Sequence, residues 1–138
     1  MPFDNSRIPF STPTISALTI YPIKSCGGIV LETARIGQRG FYGDRAFMLV
    51  DPSGCFITQR EQPRMALITP VLKEDGVLTV KAPGMQEIAI SATDTGKRRE
   101  VVIWNDTCIA VDQGDEAAEW FSTFYAQCAA WSECRKII

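Results

Sequence analysis

With 138 residues, 46% of them apolar and 22% charged, the chain has a globular rather than a disordered composition, and its length allows one domain with a sizeable core. A net charge of −2 and a pI near 5.1 argue against a protein that neutralises nucleic-acid backbone, and no apolar run approaches the ~18–20 residues of a membrane span. The chain has no histidine, which removes Ser/His and Cys/His catalytic pairs and imidazole metal sites together.

Residues 1–13 contain one arginine and no long apolar stretch, so they read as a short, loosely ordered arm rather than a secretion signal, and residues 14–138 as the domain. Apolar stretches at 15–23 and 29–36 predict two strands flanking Lys24-Ser25-Cys26-Gly27-Gly28. From residue 46 onward, short apolar stretches alternate with turn signals in a meander pattern. Residues 46–50 form a continuous apolar run, as a strand buried on both faces would, and Asp51-Pro52-Ser53-Gly54 follows as a turn. Further strands are predicted at 55–58, 65–72, 77–81 and 87–91; in the third of these Leu78 and Val80 face one way, Thr79 and Lys81 the other. After a polar connection at 92–97, strands 100–104 and 107–111 form a hairpin whose turn is assigned to Asn105-Asp106, residues that tolerate positive φ. Nine strands of this length fit a closed or nearly closed barrel, because closure removes exposed edges.

The pattern changes near residue 112. Ala117, Trp120, Phe121, Phe124, Tyr125 and Cys128 recur with helical period. Asp112 is the expected cap, and Asp115, Glu116 and Glu119 lie near the N-terminus, where the helix dipole favours negative charge. The aromatic stripe invites comparison with a platform for stacked bases, but a helix lying on a sheet accounts for it fully. The expected fold is therefore mainly β with one amphipathic C-terminal helix, β-barrel-like and α+β in the broad sense.

Five cysteines (Cys26, Cys55, Cys108, Cys128, Cys134) are odd in number and form no C-x-x-C pair, which suggests reduced thiols in a cytoplasmic protein. Three stretches hold polar groups that the strand pattern does not need: Lys24 to Gly28, Gly37 to Arg45, and Thr58 to Arg64. Lysine, serine, arginine and free N–H groups at chain bends are the ingredients of an anion site, and the paired glycines would let backbone approach a ligand. On spacing alone, turn glycines with solvated Lys and Arg rims explain the same residues, since neither standard phosphate-loop pattern is present. Cys26, beside a lysine at a bend, could be a thiolate nucleophile or soft metal ligand; with no histidine to activate it, a small packed thiol is the simpler reading.

Taken together, "ISALTIYPIKSCGG", "GFYGDRAFMLVDPSG", "FITQREQPRMALI", "LTVKAPG", "VVIWNDT" and "VDQGDEAAEWFSTF" resemble, in order and spacing, the N-terminal β-barrel domain that precedes the MOSC domain in molybdenum-cofactor proteins. The resemblance covers residues 14 to about 125. The family includes the C-terminal part of molybdenum cofactor sulfurases, the mitochondrial amidoxime-reducing component and bacterial reductases of N-hydroxylated bases. The resemblance implies a molybdenum cofactor (molybdopterin) lying between barrel and MOSC domain, with the barrel contributing donors to the pterin and its phosphate. Lys24 and Ser25 match the K-S pair of the family's "YP-[IV]-K-S" motif and Arg45 matches its "DR" motif; Arg60 and Arg64 are candidate neighbours.

In that family the cysteine that ligates molybdenum belongs to the MOSC domain, and "AQCAAWSECRKII" lacks the Leu-Gly and the regular apolar strand expected after the helix. The MOSC catalytic domain is thus expected to be absent here, as is the sulfurases' pyridoxal-phosphate domain, with no metal ligand in this chain and little or no catalysis by it alone. The resemblance implies a domain that helps bind the molybdopterin phosphate and shape the site of an oxidoreductase or sulfur-carrier partner. Its expected partners are a MOSC domain, in cis or in trans, and a small phosphorylated ligand, with no nucleic acid and no membrane. The alternatives are a stand-alone, non-catalytic anion-binding or protein-interaction module, and a structural remnant without ligand.

Overall fold

The computed structural model describes residues 12–126 and the strand Lys136–Ile137. The expected arm up to residue 11, and Cys128 and Cys134, lie outside the described residues. β1 (Leu18–Ile20) and β2 (Ile29–Leu31) pair antiparallel, with Ile20 opposite Ile29. β3 (Ile36–Gly37) and β4 (Gly40–Phe41) form a small hairpin. β5 (Leu49–Val50) pairs with β11 (Lys136–Ile137), and β6 (Thr69–Leu72), β7 (Leu78–Lys81) and β8 (Ile88–Ile90) form an antiparallel meander. β9 (Arg98–Ile103) and β10 (Asp106–Val111) make the longest ribbon, and α1 (Asp115–Ala126) follows it.

The fold is mainly β with one C-terminal helix, and several expected elements differ in their limits. The strand expected over 65–72 opens instead as a 3-10 helix, Pro63–Leu67, and becomes extended only at Thr69. Proline at the helix start explains this, since its φ is preset and its missing N–H is not needed there. The stretch 55–58 contributes two isolated bridges, Val50 to Phe56 and Cys55 to Val102, in place of a ladder. The β9–β10 turn consists of Trp104 and Asn105, one residue earlier than the expected Asn105-Asp106, because Asp106 pairs with Ile103.

Bridges Ile23 to Phe47, Val50 to Phe56 and Cys55 to Val102 carry the pairing from β1–β2 through β5 to β9–β10. Among the described residues the ladders do not close into a ring. The connection between β8 and β9 is polar, and a side chain from beyond β10 holds it: Gln113 Oε1 accepts the Thr93 N–H at 2.9 Å, and Gln113 Nε2 donates to the Thr93 carbonyl at 3.0 Å.

The main core joins Ile23, Leu49, Met65, Ile68, Leu78 and Val80 to Phe121, Phe124 and Tyr125 of α1. A second cluster joins Met48, Val50 and Val101. Of the 46–50 run, Ala46 is exposed and Phe47 half-buried; only Met48 to Val50 are buried, with Leu49 in one cluster and Met48 and Val50 in the other, and the strand is shorter than expected. Along α1 the periodic stripe is the buried face, and the Trp120 indole N–H donates to the Gln86 carbonyl at 2.7 Å, tying helix to the β7–β8 connection. Asp112 stands at the entry to the helix. Its Oδ1 accepts the Gly114 N–H at 2.9 Å and its Oδ2 accepts Arg99 Nε at 2.8 Å, so it shapes the turn into α1, whose first acidic residues are Asp115 and Glu116. Among the described residues, no helix is long and apolar enough to cross a membrane.

Candidate functional site

Two chain segments twenty residues apart are laced side by side. The Lys24 N–H donates to the Phe47 carbonyl (2.8 Å), the Phe47 N–H to Pro22 (2.9 Å) and the Arg45 N–H to Tyr21 (2.7 Å). The Tyr21 N–H in turn donates to Asp44 Oδ1 at 2.8 Å, and Asp44 Oδ2 pairs with Arg45 Nη1. This lacing brings Lys24, Ser25 and Arg45 onto one open cleft, whose far wall is Thr58, Gln59, Arg60 and Trp104. Gln59 Nε2 donates to the Ser25 carbonyl at 2.8 Å and fixes that wall to the bend.

Lys24 Nζ lies 3.8 Å from the centroid of the Phe56 ring and 5.9 Å from that of Trp104. Burial against this surface, and then the nearby positive charge of Arg45, hold the Lys24 ammonium below its ordinary pKa. The Arg45 guanidinium sits 5.4 Å from the Tyr21 ring, and the Arg60 guanidinium 5.4 Å from the Trp104 ring. Three cations therefore face one cleft with no carboxylate in its wall, and Asp44 stands behind it, paired with Arg45 and the Tyr21 N–H.

The backbone is unusual at the same place. Among the described residues, the non-glycine residues with positive φ are Ser25 (+70°), Arg45 (+49°) and Trp104 (+55°), and all three line this cleft. Left-handed backbone costs an L-residue about 1–3 kcal/mol, and such positions cluster at ligand sites.

Of the sequence candidates, Lys24, Ser25, Arg45 and Arg60 converge, whereas Arg64 does not. The Arg64 guanidinium lies 4.8 Å from the Phe124 ring, against the helix. The glycines after Cys26 serve packing rather than ligand approach. A Cβ on Gly27 would meet the Ile68 carbonyl oxygen at 2.8 Å, and one on Gly28 would meet the Thr19 methyl at 2.7 Å. Cys26 is 1% exposed within the main core, as a packed thiol would be. Among the described residues, no three His, Cys, Asp or Glu side chains gather as a metal site. Phe56, Gln59 and Trp104 were not singled out from the sequence. The one available signal was an aromatic residue at a hairpin turn, where Gly, Asn or Asp is usual.

Residues 12–127 match the family described as the MOSC N-terminal beta barrel domain. Human molybdenum cofactor sulfurase is 29% identical over 117 residues, 82% of this chain and 13% of its own length. Mitochondrial amidoxime reducing component 2 is 33% identical in Bos taurus and 37% in Rattus norvegicus, over 80% of this chain and 34% of each relative. The chain thus spans about a third or less of the curated relatives it matches. The solution structure of a Bordetella bronchiseptica protein shares the fold, with a TM-score of 0.62 at 23% identity over 86% of this chain and 85% of that one. The chain belongs to the MOSC N-terminal beta barrel domain family.

Proposed function

We propose that this domain holds the phosphate end of the molybdenum cofactor. Lys24 and Arg45 neutralise the phosphate, and Ser25 donates a hydrogen bond to phosphate or pterin. The observation that carries the reading is the convergence of Lys24, Ser25 and Arg45 on one cleft from separate segments. The lowered pKa of Lys24, caused first by burial and then by the charge of Arg45, supports it, because a bound anion offsets both. The donor set fits the phosphate and pterin and not the metal, whose ligand belongs to a MOSC domain joined in the same chain or supplied by another. The bound cofactor supplies the redox or sulfur-transfer chemistry; this domain supplies charge and orientation.

The run of ladders and bridges from β1 to β10 supports reading the sheet as an open barrel. Free thiols at the exposed Cys55 and Cys108 support a reducing compartment such as the cytoplasm. A second reading, a stand-alone anion-binding module, draws on the fact that every cleft group named above comes from this chain.

Calorimetric titration of the 138-residue chain with a phosphorylated pterin tests the proposal. Lys24→Gln and Arg45→Gln are each expected to weaken binding about tenfold or more, the worth of a charge-assisted hydrogen bond. Unchanged affinity in both variants refutes it. Addition of a MOSC domain separates the two readings, since only the first expects it to raise affinity.

A further inference from the structure

The β9–β10 hairpin presents Trp104 at the first position of its two-residue turn, with φ +55°. Glycine normally fills that position, because a Cβ disfavours left-handed backbone there. Core packing does not account for the choice: the residue is 61% exposed, while its neighbours Phe56 and Ile103 pack on the second core cluster. The indole is nevertheless held firmly. Phe56 braces it edge to face at 5.0 Å and 63°, and the turn closes a ribbon paired along its whole length. Arg60 lies over the ring, and Lys24 Nζ is 5.9 Å from its centroid, so one small ligand can reach both the ammonium and the indole.

We propose that Trp104 is a stacking platform for a planar heteroaromatic ring whose phosphate is held by Lys24 and Arg45. The ligand class is thus a heteroaromatic phosphate monoester, and the inference rests on the anion reading of the cleft. The electron-rich indole stacks on an electron-poor heterocycle, and Arg60 adds a third cation to the same wall. A rigid, pre-positioned ring loses little conformational freedom on binding.

Titrating the 138-residue chain with hydroxymethylpterin phosphate, dephosphorylated hydroxymethylpterin and inorganic phosphate separates the two contributions. The pterin phosphate is expected to bind about tenfold more tightly than inorganic phosphate, the usual worth of one stacked ring. Trp104→Leu should abolish that preference, with any change in inorganic phosphate affinity smaller than the preference lost, Trp104→Phe should restore most of it, and Lys24→Gln should weaken both phosphates together. Amide spectra of each variant check that the fold is kept. A preference that survives Trp104→Leu, or phosphate binding with no preference in the unaltered chain, overturns the stacking role and leaves the anion reading standing. Absence of binding by any of the three overturns both.

Discussion

The ammonium of Lys24 rests 3.8 Å above the Phe56 ring while Arg45 crowds it with a second positive charge. Burial first, and Arg45 second, lower its pKa. Arg45→Gln is therefore expected to raise the Lys24 pKa without restoring it fully, and bound phosphate to raise it further. Resonances of the lysine Nζ and Cε through a pH titration report both. The sign for stability follows. A lysine whose folded-state pKa lies below its unfolded value binds fewer protons when folded, so stability rises as pH climbs between the two values. Lys24→Gln should flatten that rise; a rise unaltered by the substitution would show that other groups cause it.

Asp44 competes with any bound anion for Arg45 while its other oxygen holds the Tyr21 N–H. Asp44→Asn keeps an acceptor for Tyr21 and removes the competing charge. The expected outcome is phosphate affinity raised by up to about fivefold, the range of an exposed ion pair. Weaker binding would mean that the carboxylate is needed to hold Arg45 in place.

Two of the glycines packed against backbone test that close packing most simply, and both should be intolerant of a methyl group. A Cβ on Gly96 would lie 2.2 Å from the Asp112 carbonyl oxygen, and one on Gly27 would lie 2.8 Å from that of Ile68. Gly27→Ala is expected to cost about 1–3 kcal/mol in chemical denaturation. Gly96→Ala should cost more, since its contact is tighter. A cost for Gly27→Ala below a few tenths of a kcal/mol would contradict the close approach of the bend to β6.

Asp112 joins the ribbon to the helix by accepting from both Arg99 and the Gly114 N–H. Asp112→Ala loses both bonds and should destabilise by about 2 kcal/mol; Asp112→Asn keeps the turn bond and should lose about half as much. Equal losses would place the whole effect on the Arg99 pair.

Elements whose pattern is local were legible in the sequence. The α1 stripe reads directly because Ala117, Phe121, Phe124 and Tyr125 recur at helical spacing, and Leu78 to Ile90 reads as strands because the apolar residues alternate between turn signals. Motif resemblance identified Lys24, Ser25 and Arg45, but their meeting depends on hydrogen bonds between residues 21–24 and 44–47, which no local pattern encodes. Ser25, Arg45 and Trp104 take left-handed backbone that their residue types disfavour, so propensity pointed elsewhere and set the hairpin turn one residue late. Gly27 looked like a ligand-facing glycine, yet its purpose is contact with Ile68, a residue far along the chain.

The central claim is that Lys24, Ser25 and Arg45 form one anion site. Its most direct test is an amide shift map of the isotope-labelled 138-residue chain titrated with a phosphorylated pterin. Saturable shifts at Lys24, Ser25 and Arg45, shared by Gln59 across the cleft and lost together in Lys24→Gln, are the predicted result. Shifts confined to other surfaces, or none at these three residues at saturating ligand, would contradict it.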